Sequence, residues 1–379
     1  MTRPHRNGIL GWLGWFLCSL AVFAAVPATS HAGGTIKIDD THSVSVGMGV
    51  RSSFNMVENG APNGTDWSND FVLNSVRLYL GGQLHNLITF EFNTDYDPLP
   101  AVGTEDIRVL DAVVKLGLSD TVNVWAGRFL PPSDRSNLSG PYYLNAWDFP
   151  FVQQYPAVFA GRDDGVALWG QTGGGQFKYQ VGAFEGQGDT ATGPNRNDAL
   201  LFAGRLTLNL WDPEPGYYNS STYYGAKNVL ALGLVAMTQD GASGTAATSG
   251  DFTGWNVDAL MEKNLGASGV ATLEGAYYDY DRDGLGAAGS EGHGYFALAS
   301  YLLPGKVGPK KLQGRVQPMV RYQSFENEGG STGEHTRVDL GVSYIIDGHN
   351  ARLTANYGMD DPATGPDSNL FRLGLQFQL

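Results

Sequence analysis

Residues 371–379 read FRLGLQFQL. Phe371, Leu373, Leu375, Phe377 and Leu379 fall on one parity, and Arg372, Gly374, Gln376 and Gln378 on the other. A side-chain period of two places each set on one face of a β-strand. The same alternation returns upstream. Val338, Leu340, Val342, Tyr344 and Ile346 oppose Arg337, Asp339, Gly341 and Ser343, and Ile88, Phe90 and Phe92 alternate with Thr89, Glu91 and Asn93. Nothing after residue 33 carries strong helical periodicity, so the chain reads as all-β.

Marking every such segment predicts sixteen strands, at 42–57, 71–80, 86–96, 107–118, 121–130, 164–171, 176–185, 199–210, 228–239, 252–264, 269–280, 293–303, 312–325, 335–346, 350–358 and 369–379. Their connections alternate in length. Those at 81–85, 119–120, 172–175, 265–268 and 347–349 are short, and those after the eighth and twelfth strands are longer members of the same series. Longer polar loops run between them at 58–70, 97–106, 186–198, 240–251 and 281–292. Short turns at one end and long loops at the other form the pattern of a transmembrane antiparallel β-barrel of the outer membrane. The short turns then face the periplasm. A soluble sandwich or solenoid shares the alternation. Against it, the apolar parity is rich in Phe, Leu, Tyr and Trp, as lipid contact and interfacial girdles require, and the opposite parity is polar nearly throughout. Closure removes strand edges that lipid cannot satisfy, and about sixteen strands enclose an aqueous channel.

Composition narrows the function. The 379 residues include 52 glycines, about twice the usual share, and only 16% are charged. With 24 Lys+Arg against 38 Asp+Glu, the charge of −14 argues against a nucleic-acid partner, which needs clustered cations. One cysteine excludes a disulfide scaffold, a thiolate zinc site and c-type haem attachment. Length alone would allow two or three soluble domains. The start of the chain is an address instead. A basic segment (Arg3, His5, Arg6) precedes an uncharged apolar run from Ile9 to Val26, and Ser30-His31-Ala32 sets small residues at −3 and −1 of a cleavage point. Residues 1–32 read as a cleaved signal peptide and 33–379 as the barrel, in the outer membrane of a Gram-negative bacterium. An uncleaved anchor is the competing reading, since the run is just long enough to span a bilayer. Cleavage removes Cys18 with the leader and takes the charge to −16.

The connection at 131–163 stands apart. It holds five prolines and a dense aromatic group, Tyr142, Tyr143, Trp147, Phe149, Phe151, Tyr155 and Phe159, flanked by Asp134, Arg135, Arg162 and Asp163. So many aromatics want burial, and a loop this long is functional or disordered. Folding into the lumen as a constriction satisfies both demands. Packing over the rim or on a neighbouring subunit is the alternative.

Several stretches, in order, are similar to the phosphate-selective porins O and P: Asn74-Ser75-Val76-Arg77-Leu78, Phe90-Glu91-Phe92, Val124-Trp125-Ala126-Gly127-Arg128, Arg162-Asp163-Asp164-Gly165, Gly314 to Tyr322, and Gly341 to Gly358. The resemblance covers most of the mature chain and implies a 16-stranded, homotrimeric outer-membrane channel passing anions, phosphate among them. Its partners would be outer-membrane lipid, lipopolysaccharide and small hydrophilic solutes, with no cofactor. Some relatives carry an N-terminal coiled coil, whereas only Gly33 to Thr41 precedes the first strand here. The terminal residue is Leu379, where such barrels usually end in Phe.

Taking polar parity as lumen-facing, the pore-lining basic residues are Lys115, Lys178, Arg205, Arg315, Arg321, Arg337, Arg352 and Arg372. Rings of such groups favour anions. The same parity yields Glu91, Asp111, Asp258, Glu262, Glu274 and Asp339, so a transverse field and simple cross-strand pairing are both open. Much remaining acidity falls in exterior loops, at Asp66, Asp70, Asp97, Glu105, Asp106, Asp281, Asp283, Glu291, Glu326, Glu328, Asp360 and Asp361, as solvated surface or as sites for divalent ions between lipopolysaccharides.

Other motifs fail on context. Asp279 to Gly284 mimics a calcium loop but has Ser290 where the twelfth-position Glu belongs. Gly284 to Gly289 fits G-x-G-x-x-G without a helix to follow. His42, His85, His293, His335 and His349 do not cluster as metal ligands, and no nucleophile motif appears, so no enzyme is predicted. A sugar-type porin using the loop aromatics, or a barrel sheathing a partner protein, are the other functional readings.

Overall fold

The computed structural model describes residues 33–99, 104–156, 159–187, 193–286, 289–328 and 333–379. The leader read at 1–32 lies outside them. Seventeen strands follow in order: β1 (Gly34–Lys37), β2 (Ser43–Val57), β3 (Asp70–His85), β4 (Ile88–Leu99), β5 (Thr104–Ser119), β6 (Val122–Phe129), β7 (Asp163–Thr172), β8 (Phe177–Phe184), β9 (Leu201–Asn209), β10 (Val229–Gly244), β11 (Ser249–Asn264), β12 (Val270–Asp281), β13 (Gly292–Leu302), β14 (Arg315–Asn327), β15 (Gly333–Asp347), β16 (Ala351–Asp361) and β17 (Ser368–Gln378). From β2 onward each strand pairs antiparallel with the next, and β17 returns to β2. The result is a closed 16-stranded antiparallel β-barrel, as the alternation predicts.

The extra strand has a local cause. β17 pairs with β2 only as far as Gly49, and Leu379 exchanges backbone hydrogen bonds with Met48. Below that level β2 would have a free edge. β1 folds back onto it, with Gly34 opposite Val46 and Lys37 opposite Ser43. Asp39 shapes the return by accepting from the amides of Thr41 and His42.

Several expected loops are strand instead. The turn expected at 81–85 shrinks to residues 86–87, because Gly81 and Gly82 sit inside β3, opposite Glu91 and Phe90. The loop expected at 240–251 is mostly hairpin, with a register shift between Gln239 and Ser243.

The outer face is apolar and exposed. Leu206, Leu232, Leu234, Val257, Leu273, Val320, Leu340, Val342 and Leu373 form its middle band. Trp255, Tyr277, Tyr295, Tyr322 and Tyr357 lie toward the long-loop end, while Phe177 and Phe377 lie toward the short-turn end, flanking the leucine band as aromatic girdles do. Pairs such as Trp255–Tyr277, centroids 5.5 Å apart, and Tyr295–Tyr322, 5.9 Å, tie neighbouring strands at girdle level. The inner face is polar and mostly buried, so something fills the lumen.

Candidate pore interior

Two segments fill it. The first is the long loop after β6. Its helix α1 (Arg135–Ser139) is wholly buried, starts at an Asp134 cap that accepts from Ser136 and Asn137 amides, and ends at Gly140 with φ +67°. The loop then runs around the inner wall. Tyr142 and Trp147, 1% and 2% exposed, occupy sockets made by missing side chains. A Cβ on Gly49 would stand 2.8 Å from the Tyr142 ring, and one on Gly374 would meet the Trp147 ring. Tyr142 Oη donates to Ser75 Oγ at 3.2 Å. Phe149 is half-buried. The Phe151 amide donates to Gln323 at 2.9 Å, and its ring stacks on His335, centroids 4.0 Å apart. Tyr155 Oη accepts from Asn256 at 2.6 Å. The loop ends where Arg162 reaches Asp111 at 3.2 Å and the buried Asp163 accepts from Gly186 N at 2.7 Å.

The second segment is the connection 210–228 between β9 and β10, at the short-turn end. Sequence reasoning placed it only as a longer turn. In the structure Glu214, Tyr217, Ser221 and Thr222 are at most 2% exposed, and the segment packs under α1. Arg135 and Glu214 form a two-pronged ion pair at 2.8 and 2.6 Å, and Tyr223 Oη also reaches Glu214. Thr222 Oγ1 and the amides of Tyr223 and Gly225 donate to Glu262 at 2.7, 2.9 and 2.8 Å. Tyr217 stacks on Trp125 at 4.5 Å. The signal was present: DPEPGYYNSSTYYG holds four tyrosines, which need burial as the long loop's aromatics do.

The turn between β15 and β16 joins both segments. His349 Nε2 meets Thr222 O at 2.9 Å and Nδ1 meets Tyr142 O at 3.2 Å, with Tyr143 and Tyr224 rings at 4.7 and 4.8 Å. Burial, aided by Arg352, pushes the imidazole pKa down to about 4. Burial alone would raise Glu214, but Arg135 and Lys178 outweigh it and hold the carboxyl at about 2. Asp134 moves the other way, raised by burial and by Asp258.

Most wall charges are paired. Lys115 meets Glu91 and lies 4.0 Å over the Trp125 ring. Arg205 holds Asp258 at 3.0 Å and Ser133 O at 3.0 Å. Arg321 bonds Asp339 at 2.9 Å and Asp148 O at 2.8 Å. Arg337 bonds Asp339 at 3.0 Å, and Arg372 pairs with Asp148 and with Asn55 at 2.8 Å. Lys178 donates to Asn219 at 2.7 Å and Gly216 O at 3.1 Å. Arg315 lies at the rim, bent onto Leu303 O at 3.1 Å. Glu274 accepts from Ser221 at 2.8 Å.

Lys178 and Arg315 have no carboxylate partner among the described residues, and Arg51 and Arg352 share that lack while standing side by side. Arg352 faces Gln376, which faces Arg51, so three adjacent strands set them in one row. Neither forms an ion pair with a carboxylate among the described residues. Arg51 donates to Trp147 O at 2.6 Å and lies 4.1 Å over the indole ring, and Arg352 donates to Leu144 O at 2.7 Å. Arg51 Nε, Arg352 Nη2 and Trp147 Nε1 are buried donors that no protein acceptor reaches. Sequence reasoning missed Arg51 and Arg77, the latter paired with Asp95 at 2.8 Å. Both share the polar parity of their strands.

No family model and no curated protein matches this chain. Solved structures do. An anion-selective porin from Comamonas acidovorans aligns with 89% of this chain and 100% of its own at 16% identity and TM-score 0.59. OprB of Pseudomonas putida aligns with 89% of this chain and 94% of its own at 11% identity and TM-score 0.60. The outer membrane channel DcaP of Acinetobacter baumannii aligns with 91% of this chain and 99% of its own at 13% identity and TM-score 0.58. The chain has the porin fold. At these identities the likeness concerns architecture, and the constricting segments and their charges are read from this chain's own residues.

Proposed function

We propose that the chain is an outer-membrane porin, a passive diffusion channel for small hydrophilic solutes and ions that prefers anions, phosphate among them. Export would use the 1–32 leader, and the working form would be a homotrimer in lipid and lipopolysaccharide. The observation that carries the anion preference is the Arg51–Gln376–Arg352 row, two guanidinium groups with no carboxylate partner and unsatisfied donors on the inner wall. Near the long loop Arg205, Arg321, Arg337 and Arg372 are matched by Asp258, Asp339 and Asp148, so the row is unmatched positive charge there; Lys178, Glu262 and Glu274, which form no ion pair among the described residues, lie toward the short-turn end. The likeness to a porin named as anion-selective supports the same reading. A sugar pathway would need open ring faces, whereas Tyr142 and Trp147 are closed into glycine sockets.

The test is the reversal potential of the purified protein in planar bilayers under a KCl gradient. Wild type should favour chloride, and R51Q/R352Q should lose that preference. A cation preference in the wild type defeats the proposal, and no conductance at all points to a barrel sheathing a partner.

A further inference from the structure

Lysine is distributed unevenly in this chain. Of its eight lysines, Lys115 and Lys178 line the lumen. The other six, Lys37, Lys227, Lys263, Lys306, Lys310 and Lys311, all lie at the short-turn end. Three of these share one connection, LPGKVGPKKLQG at 303–314 between β13 and β14.

That connection is a built hairpin. Val307 and Gly314 exchange backbone hydrogen bonds at 2.8 and 3.1 Å, and Leu312 N closes the tip onto Pro309 O at 2.8 Å. It hangs on Tyr344 of β15, which shares the outward parity of Leu340 and Val342. Tyr344 Oη stands 2.6 Å from both Val307 O and Leu312 O, donating its one proton between them, and accepts from Gly314 N at 2.9 Å. The hairpin is therefore pinned to the lipid-facing side of the wall. Leu303, Val307 and Leu312 are 41%, 52% and 57% exposed, interleaved with exposed Lys306, Lys310 and Lys311. None of the three lysines enters an ion pair among the described residues.

We infer that the 303–314 hairpin is a docking lip for anionic phospholipid headgroups of the periplasmic leaflet. The apolar residues continue the lipid-facing surface beyond Tyr301 and Tyr344. The lysines, one or a few residues away, stand at headgroup depth, where basic groups are attracted to an anionic surface. A peptidoglycan partner would need the cations but not the exposed leucines, and it would not need them held against the outer wall. The inference rests on the barrel placement proposed above, with the short turns at the periplasmic side.

The experiment counts lipids retained by the full chain. Protein reconstituted in phosphatidylcholine bilayers with a minor share of phosphatidylglycerol is extracted gently and read by native mass spectrometry. Wild type should retain phosphatidylglycerol several-fold over its share, less so as NaCl rises from 0.1 to 1 M. K306Q/K310Q/K311Q should retain it only in proportion. Y344F, which keeps the lysines but frees the hairpin, should fall between. Equal retention by wild type and the triple variant overturns the inference, as does retention indifferent to salt. Lysine-dependent sedimentation with peptidoglycan sacculi, without lysine-dependent lipid retention, also overturns it. Conductance of the same preparations reports the channel reading separately, so the two can fail independently.

Discussion

At the residue scale, His349 shows how a single side chain is set by its surroundings. A neutral imidazole has one N–H, which the shorter contact, to Thr222 O at 2.9 Å, takes. Its pKa of about 4 lies below the ordinary 6.5, so the packed form stays neutral where a released imidazole charges. As pH falls from about 6.5 toward 4, release binds a proton that the packed state does not, and the contact loses stability through that window. Channel noise should therefore rise on acidification between pH 6.5 and 4, and H349Q should not show that rise. If H349Q and wild type respond alike in this window, the turn does not hold the two segments. Glu214 acts lower: its pKa of about 2 against 4.5 retains stability above pH 4.5 and loses it as pH falls through 2. Arg51 and Arg77 were missed although parity marks them, because a lipid-facing row must be apolar and so identifies its opposite. The roles of Gly49 and Gly374 were not legible. A glycine that receives an aromatic ring from a distant loop looks the same in sequence as one in a turn.

At the scale of elements, the long loop and the 210–228 connection behave as one packed unit. Aromatic density pointed to the first, and the same density in the second was masked by its place among the short turns. Their join is the buried Arg135–Glu214 pair, each partner 1% exposed at the side chain. Removing one partner of such a pair leaves an uncompensated buried charge and costs about 3–5 kcal/mol. E214Q should therefore loosen the lumen without opening the wall. Its currents should become noisier while the heat needed to unfold the barrel on a gel changes little. Deleting 140–155 is the stronger change, since those residues fill the sockets at Gly49 and Gly374 and meet Arg51, Arg321 and Arg372. Single-channel conductance should rise severalfold in the deletion variant. Unchanged conductance would mean that ions pass elsewhere.

At the scale of the whole molecule, closure and strand count were legible because period-two alternation repeats to the last residue. β1 was not, since it answers a free edge created by where β17 stops. Charge is also arranged along the barrel. Exposed carboxylates such as Asp66, Glu326 and Glu328 stand at the long-loop end, lysines stand at the other, and the Arg51–Arg352 row lies between. The exterior acids and the buried arginines act on a passing ion with opposite sign, and salt separates them. The Debye length is about 10 Å at 0.1 M and about 3 Å at 1 M, so exposed charges lose their reach while buried ones are screened much less. At low salt the acidic mouth concentrates cations and offsets the inner wall. At high salt the wall acts nearly alone. The chloride preference should thus grow when a fixed-ratio KCl gradient is raised from about 0.1 M to about 1 M, the reverse of what a pore selective through exposed surface charge would show. In R51Q/R352Q the increase should vanish, leaving only a weak cation bias that fades with salt. A wild-type chloride preference that instead declines over this range would place the selecting charges at the exposed mouth and not on the inner wall.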